Sequence, residues 1–256
     1  MKEETMHYNN LIYQKTGSVA TVTLNRPAAG NAVNLEMAGE LSDICTAIAH
    51  DGDIKAVIIT GAGEKAFSAG ADPDELFEEG IMPSVAVPIT WLTCPVIAAI
   101  NGDALGQGLE LALACDIRIA VETARFAMPC LASSFIPWDG ATQRLPRLIG
   151  MAKAMEMFFT GQMVDAAEAC RMGLINRGVS SGELLPLVTD ICREMAAKSP
   201  LALQYAKEAI YKGMELTLGQ GLRLEADLYF LLQTTEDRTE GIRAFLEKRP
   251  PQFKGM

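Results

Sequence analysis

With 256 residues, 49% of them apolar and 21% charged, and with 22 glycines and 12 prolines spread along its length, the chain has the composition of a globular protein able to bury a sizeable core. Its formal charge of −10 argues against nucleic acid or an anionic membrane as a default partner, because both call for a clustered basic footprint. The acidic, polar start MKEETMHYNN and the absence of any apolar run near ~18 residues lead us to expect a soluble cytoplasmic protein with no signal peptide and no membrane span.

Two short extended runs, LIYQKT and VATVTL, flank Gly17-Ser18; Ala20, Val22 and Leu24 alternate with Val19, Thr21 and Thr23, which predicts a hairpin. From Asn34, apolar residues Met37, Leu41, Ile44, Cys45 and Ile48 recur at helical spacing, and KAVIIT (55–60) follows as a buried strand. Strand, long helix and strand in that order predict an α/β crossover. GAGEKAFSAGAD (61–72) reads as a glycine- and alanine-rich loop, after which DPDE starts a helix with Asp72 as N-cap, Pro73 in the first position and Glu75 completing a capping box. The pattern repeats: PVIAAI (95–100) as strand, NGDALGQG as glycine-rich loop, LELALA as helix, DIRIAV (116–121) as strand. Two successive units thus place a glycine-rich loop between a β-branched strand and a helix start, where loops on one sheet edge can share a ligand. After roughly residue 190 the strand signals end, and 181–198, 200–213 and 219–247 show helical periodicity. A helical tail that cannot bury both its faces packs on the body or on another subunit, so an oligomer is expected.

The six cysteines, 45, 94, 115, 130, 170 and 192, form no C-x-x-C and lie near no histidine pair, which argues against structural zinc and against a disulfide scaffold. With only His7 and His50 present, a histidine-centred triad is not expected, and neither G-x-S-x-G nor a P-loop occurs.

Chemistry concentrates in the two glycine-rich loops. If each precedes a helix, the backbone N–H groups around Ala71 and Gln107 are the unbonded donors of a helix start, and two such donors aimed at one point make an oxyanion hole. The alternative is that the glycines only shape tight turns. GAGEKA also matches half of a dinucleotide fingerprint, without the full G-x-G-x-x-G unit. Glu110 falls one turn inside the helix that begins near Gln107. Burial among leucines raises its pKa while the helix start lowers it, and a net rise toward neutrality suits general acid–base work. The competing reading pairs its carboxylate with a buried arginine, Arg118 or Arg144.

These residues stand in longer motifs: LNRPAAGNAV (24–33), KAVIITGAGEKAFSAGAD (55–72), CPVIAAINGDALGQGLELALACDIRIA (94–120), GATQRLPRLIG (140–150), FFTGQMVDAAEACRMGLINR (158–177) and FLEKRP (245–250). Almost end to end, they resemble the enoyl-CoA hydratase/isomerase (crotonase) superfamily. The resemblance implies an α/β fold, a spiral of ββα repeats over residues 1–195 that binds acyl-CoA, followed by a helical region, 196–256, for oligomerisation and CoA contact. It further implies a homotrimer or a hexamer built as a dimer of trimers. Acyl-CoA thioesters are the implied substrates, with coenzyme A arriving as part of the substrate and no cofactor bound permanently. It places the oxyanion-hole donors at the N–H groups of Ala71 and Gln107, and puts Glu110 on the first catalytic glutamate of the hydratases. Phe245 and Lys248 match positions that contact the CoA of a neighbouring subunit. Lys65 is a second phosphate contact, Ala69 lies beside the pantetheine and adenine, and Asp72 and Gly106 belong to the binding loops.

The departures narrow the chemistry. Hydratases of this type carry a second glutamate after Phe-x-x-Pro, where FAMPC puts Cys130, and a thiol with a pKa near ~8.5 is a poor substitute for that acid. Gln107 stands in place of the middle glycine of a triple-glycine loop; its N–H survives while its side chain can crowd or hydrogen-bond the ligand. IPWDGATQRL replaces a glycine-rich segment and brings Trp138 and Asp139 to the acyl end of the pocket. Some isomerases of the family use an aspartate where Trp138 stands. Asp139, one residue late, is therefore either a displaced second acid or the N-cap of the following helix. Trp138 either lines the acyl site or packs as core. The expected activity is hydration of a 2-enoyl-CoA or a shift of its double bond. Decarboxylation, thioester hydrolysis and an inactive CoA-binding relative are the alternatives.

Overall fold

The computed structural model describes residues 3–75 and 84–256. The hairpin forms as expected, from β2 (Leu11–Thr16) and β3 (Val19–Leu24), and a further strand, β1 (Glu3–His7), adds antiparallel to β2. Helix α1 (Leu35–His50) starts where Asn34 Oδ1 accepts from the Met37 N–H at 2.9 Å, and it buries Met37, Leu41, Ile44, Cys45 and Ile48.

Three strand–strand–helix turns follow. β4 (Ala56–Gly61) leads to β5 (Ala66–Ser68) and α2 (Ala86–Thr90); β6 (Val96–Ile100) leads to β7 (Asp103–Leu105) and α3 (Gln107–Ala114). β8 (Ile117–Val121) leads to β9 (Arg125–Ala127), α4 (Ala141–Ile149) and α5 (Met151–Thr160). The chain then runs through β10 (Val164–Asp165), α6 (Ala166–Arg171), β11 (Arg177–Val179) and α7 (Ser181–Ala196). The first strand of each turn joins a seven-stranded sheet, ordered β1-β2-β3-β4-β6-β8-β11 and parallel from β3 onward; the second joins a four-stranded sheet, β10-β9-β7-β5. This is the ββα spiral. Val57, Ile59, Ile97, Ile119 and Val121 are buried in the larger sheet, the β-branched content expected of parallel strands covered on both faces.

Three expectations need correction. The stretches 61–72 and 101–108 are not wholly loop: each holds a three-residue strand, β5 or β7, too short to show a period of two. Glu75 does not close a capping box on Asp72; its Oε2 accepts from the Leu35 N–H at 2.6 Å and so supports the start of α1. Residues 73–75 form a turn, and the helix expected to follow lies outside the described residues. Finally, 219–247 is two helices, α9 (Leu218–Gln233) and α10 (Glu236–Glu247), divided where Thr235 caps α10.

The tail helix α8 (Pro200–Gly213) is fixed to the body by Asp116, which accepts from Lys207 Nζ at 2.8 Å and from the Tyr211 hydroxyl at 2.9 Å. Among the described residues no helix is long and apolar enough to cross a membrane.

Candidate active site

The site begins where β5 and β7, parallel neighbours, release their chains at the same sheet edge. After β7, Gly106 takes φ 49° and ψ −123°, a conformation open to glycine, and α3 starts at Gln107 with all eight residues buried. The first intrahelical bond runs from the Glu110 N–H to Gly106 O at 3.1 Å, so the Gln107 N–H lies ahead of it at the positive end of the helix. A Cβ on Gly108 would fall 2.5 Å from Ser68 O, so this glycine allows α3 to lie directly on β5.

The loop after β5 abuts this start. Gly70 has φ +102°, and a Cβ there would sit 2.9 Å from Leu105 O and 3.5 Å from Gln107 N. Next to it, the Val33 N–H donates to Gly70 O and the Asp72 N–H to Val33 O, both at 2.7 Å. Along an extended chain successive N–H groups alternate in direction, so the Ala71 N–H points away from Val33. Asp72 is fixed below: its Oδ2 accepts from Arg26 at 2.7 Å and its Oδ1 from the Asp74 N–H at 3.1 Å. Burial acts to raise the Asp72 carboxyl, but the Arg26 hydrogen bond and charge, with the Asp74 N–H, outweigh it and hold it below the usual range. Asp72 and Arg26 thus act as a strut under the Ala71 loop. Ala69 and Lys65 are exposed on the same segment, with the Ala69 N–H bonded to Gly30 O at 2.9 Å.

Glu110 is 1% exposed. Its Oε1 accepts from the N–H groups of Asp139 and Ala141, both at 2.9 Å, the second being the first residue of α4. Neither arginine takes its carboxylate. Arg118 donates to the carbonyls of Leu174, Ala112 and Cys115, and Arg144 donates to Asp139 O at 2.7 Å. Burial dominates and pushes the Glu110 carboxyl up to about 7; the two N–H groups and the Arg144 charge oppose the rise, and the Asp139 charge adds to it.

Asp139 does not cap the helix that follows it, whose N-cap is Gly140; its carboxylate sits at the start of α2 instead. Cys130, in the 3-10 turn Pro129–Ser133, is half-buried; burial raises its thiol and the nearby Glu110 charge adds to the rise, so the thiol stays protonated at neutral pH. Trp138, which precedes Asp139 in the chain, is half-buried. Phe245 is 83% exposed on α10, and Lys248 is the exposed left-handed cap that ends it. Both stand on the helical region, apart in sequence from the Glu110 loops. Arg26 and Ser84 were missed as supports because their partners, Asp72 and Asp139, lie 46 and 55 residues along the chain.

The thiols give a prediction. Burial pushes Cys45, Cys115 and Cys192 up to about 12, whereas Cys170 is exposed. A disulfide reagent at neutral pH is expected to modify Cys170 rapidly and those three only on unfolding, as followed by mass spectrometry. Equal rates in the folded protein would contradict the burial.

A ββα spiral that sets a buried acid beside two abutting glycine loops is the architecture of crotonase-type proteins. The enoyl-CoA hydratase/isomerase family model matches residues 14–256. The chain is 42% identical over 253 residues to the short-chain-enoyl-CoA hydratase of Clostridium acetobutylicum, spanning 95% of this chain and 97% of that one. It is 40% identical over 257 residues to the crotonyl-CoA hydratase of Syntrophomonas wolfei, spanning 97% and 99%. The crystal structure of an enoyl-CoA hydratase from Bacillus anthracis superposes with a TM-score of 0.91 at 40% identity, over 97% of this chain and 100% of that one. The chain belongs to the enoyl-CoA hydratase/isomerase family and is an enzyme of that type.

Proposed function

We propose that this enzyme adds water across the double bond of a 2-enoyl-CoA. Glu110 Oε2 takes a proton from water as the water oxygen bonds to the β-carbon, and the C=C electron pair moves toward the thioester carbonyl. The enolate oxygen so formed accepts from the N–H groups of Ala71 and Gln107. The enolate then collapses as its α-carbon takes that proton back from Glu110. Hydroxyl stands on the β-carbon, hydrogen on the α-carbon, and the carboxylate is restored. The observation that carries this reading is the clamp on Glu110: two N–H groups hold Oε1, while Oε2 has no hydrogen bond among the described residues. One oxygen is fixed and the other is left to carry the proton.

A double-bond shift is the second reading, favoured by the protonated Cys130 thiol where a second acid is expected. Glu110 alone would then remove a proton from one carbon of the enolisable chain and return it to another. Assays on 2-enoyl- and 3-enoyl-CoA thioesters, following loss or gain of the conjugated enoyl absorbance, separate the two. Conversion of neither, with CoA still bound, overturns the enzymatic reading.

Residues 196–256 serve assembly in this reading, as a homotrimer or a dimer of trimers, with Phe245 and Lys248 lent to a neighbour's CoA. Supporting it, Leu218, Phe230, Phe245 and Leu246 are exposed on α9 and α10, apolar side chains that a neighbouring copy can cover. Replacing Lys248 by alanine is expected to raise KM for the thioester about tenfold through loss of a charge-assisted phosphate contact. An unchanged KM in steady-state kinetics removes Lys248 from the CoA site.

A further inference from the structure

We infer that Asp139 is a positioning residue, which ties the start of α2, the Gln107 side chain and the Glu110 carboxylate into one node and so fixes where Glu110 stands. The inference rests on the reading of Glu110 as the proton carrier. The sequence leaves Asp139 open as a displaced second acid, but its contacts in the fold are those of a joint. A carboxylate offers about four acceptor sites. Here Oδ1 accepts from the Ser84 hydroxyl at 2.6 Å, and Oδ2 from the Val85 N–H at 2.7 Å, the Ala86 N–H at 3.0 Å and Gln107 Nε2 at 3.4 Å. All four contacts come from inside the protein, at a residue 3% exposed.

The backbone of Asp139 completes the joint. Its N–H is one of the two that hold Glu110 Oε1, and its carbonyl accepts from Arg144 at 2.7 Å. Arg144 folds back over Gly140 to do so: a Cβ on Gly140 would fall 2.1 Å from its Nη1. The peptides from 138 to 141 are therefore held from both sides, and Glu110 is held by them. Gln107, whose N–H is the proposed oxyanion donor, is linked to the same carboxylate, so acid and oxyanion donor share one anchor.

Charge at this anchor acts on Glu110 as well. Among the described residues, the groups around the Glu110 carboxylate are Asp139 and Arg144 on the 138–144 segment and the Cys130 thiol on the 3-10 turn. α2 and β5 contribute no ionisable side chain, and Asp103 at the start of β7 is paired with Arg125 at 2.7 Å. Asp139 and Arg144 oppose each other there, Asp139 favouring the protonated acid.

The test is a titration of the Glu110 carboxyl by carbon-13 NMR in the wild type and in Asp139→Asn, run beside the pH dependence of turnover. The titration needs no activity, so it still reads the inference if the wild type converts no enoyl-CoA and the functional reading itself fails. In Asp139→Asn the Glu110 midpoint and the acidic limb of the rate profile are expected to move down together by about one pH unit, with kcat about tenfold lower. A fixed midpoint overturns the inference. So does a loss beyond about 1,000-fold with the limb in place, which would make Asp139 itself a proton donor. Should Asp139→Asn fail to fold, Ser84→Ala removes one donor from the carboxylate and keeps its charge; there a threefold or so loss of kcat with the Glu110 midpoint held supports the joint. An unchanged kcat overturns it.

Discussion

Glu110→Gln is expected to lower kcat by at least about 100-fold and, at pH 8, to make the protein more stable. The loss follows from the proposed role of Glu110, whose side chain would carry the proton. The gain follows from linkage. The Glu110 carboxyl has an ordinary value of 4.5 and stands at about 7 in the fold, because burial disfavours its charged form. A group whose folded pKa is raised contributes stability that is fully present below the unfolded value and is lost as pH rises through the folded one. Between pH 4.5 and 7 the native state therefore loses its advantage, and above 7 it bears a buried charge. The difference is on the order of 3 kcal/mol, taking about 1.4 kcal/mol per pH unit. With the residue almost wholly buried, solvent screening removes little of it. Glutamine keeps an oxygen for the Asp139 and Ala141 N–H groups and carries no charge, so the variant should melt several degrees higher at pH 8 and close to wild type at pH 4. Calorimetry at the two pH values, with kinetics at pH 8, checks both halves. Wild-type turnover would take Glu110 out of the mechanism, and a lower melting point at pH 8 would contradict the burial argument. In the wild type the same titration predicts hydration rates that fall about tenfold per unit as pH drops below 7.

What could be read from the chain alone follows the range of the physics involved. The hairpin, α1 with its Asn34 cap, and the strands β4, β6 and β8 announce themselves through periodicity and local capping, each within a few residues. Glu110 was legible as a polar residue in an apolar helical run, but burial and a helix start pull its titration in opposite directions, and only the depth of its burial in the fold decides for the rise. The three-residue strands β5, β7 and β9 have no period to show; they exist because neighbouring turns of the spiral offer them partners. The joint at Asp139 was not legible because its donors Ser84, Val85 and Ala86 lie 53 to 55 residues away and act on a different helix from the one it precedes. The two glycine-rich loops already suggested paired N–H donors around Ala71 and Gln107, with plain tight turns as the alternative; the resemblance pointed to the same two residues.

Gly70→Ala is expected to cost about 100-fold in kcat together with roughly 2 to 3 kcal/mol of stability. Gly70 sits at φ +102°, where an L side chain is strained. Its Cβ would also press to 2.9 Å from Leu105 O and 3.5 Å from Gln107 N, and backbone atoms do not give way as a flexible side chain does. The way to relieve the contact is to part the two loops, since Gly70 O is held by Val33 on the other side at 2.7 Å. Parting them by a few tenths of an ångström carries the Ala71 N–H away from the Gln107 N–H, and one oxyanion donor is worth about 3 kcal/mol in the transition state. Gly39→Ala is the control: it lies on the exposed face of α1 with nothing within 4 Å of its Cβ, and it should stabilise the helix by about 0.5 to 1 kcal/mol. Melting curves and kinetics on both variants decide the matter. If Gly70→Ala is destabilised while kcat holds, the spacing of these two loops does not set the stabilisation of the enolate, and the oxyanion donors must be sought elsewhere.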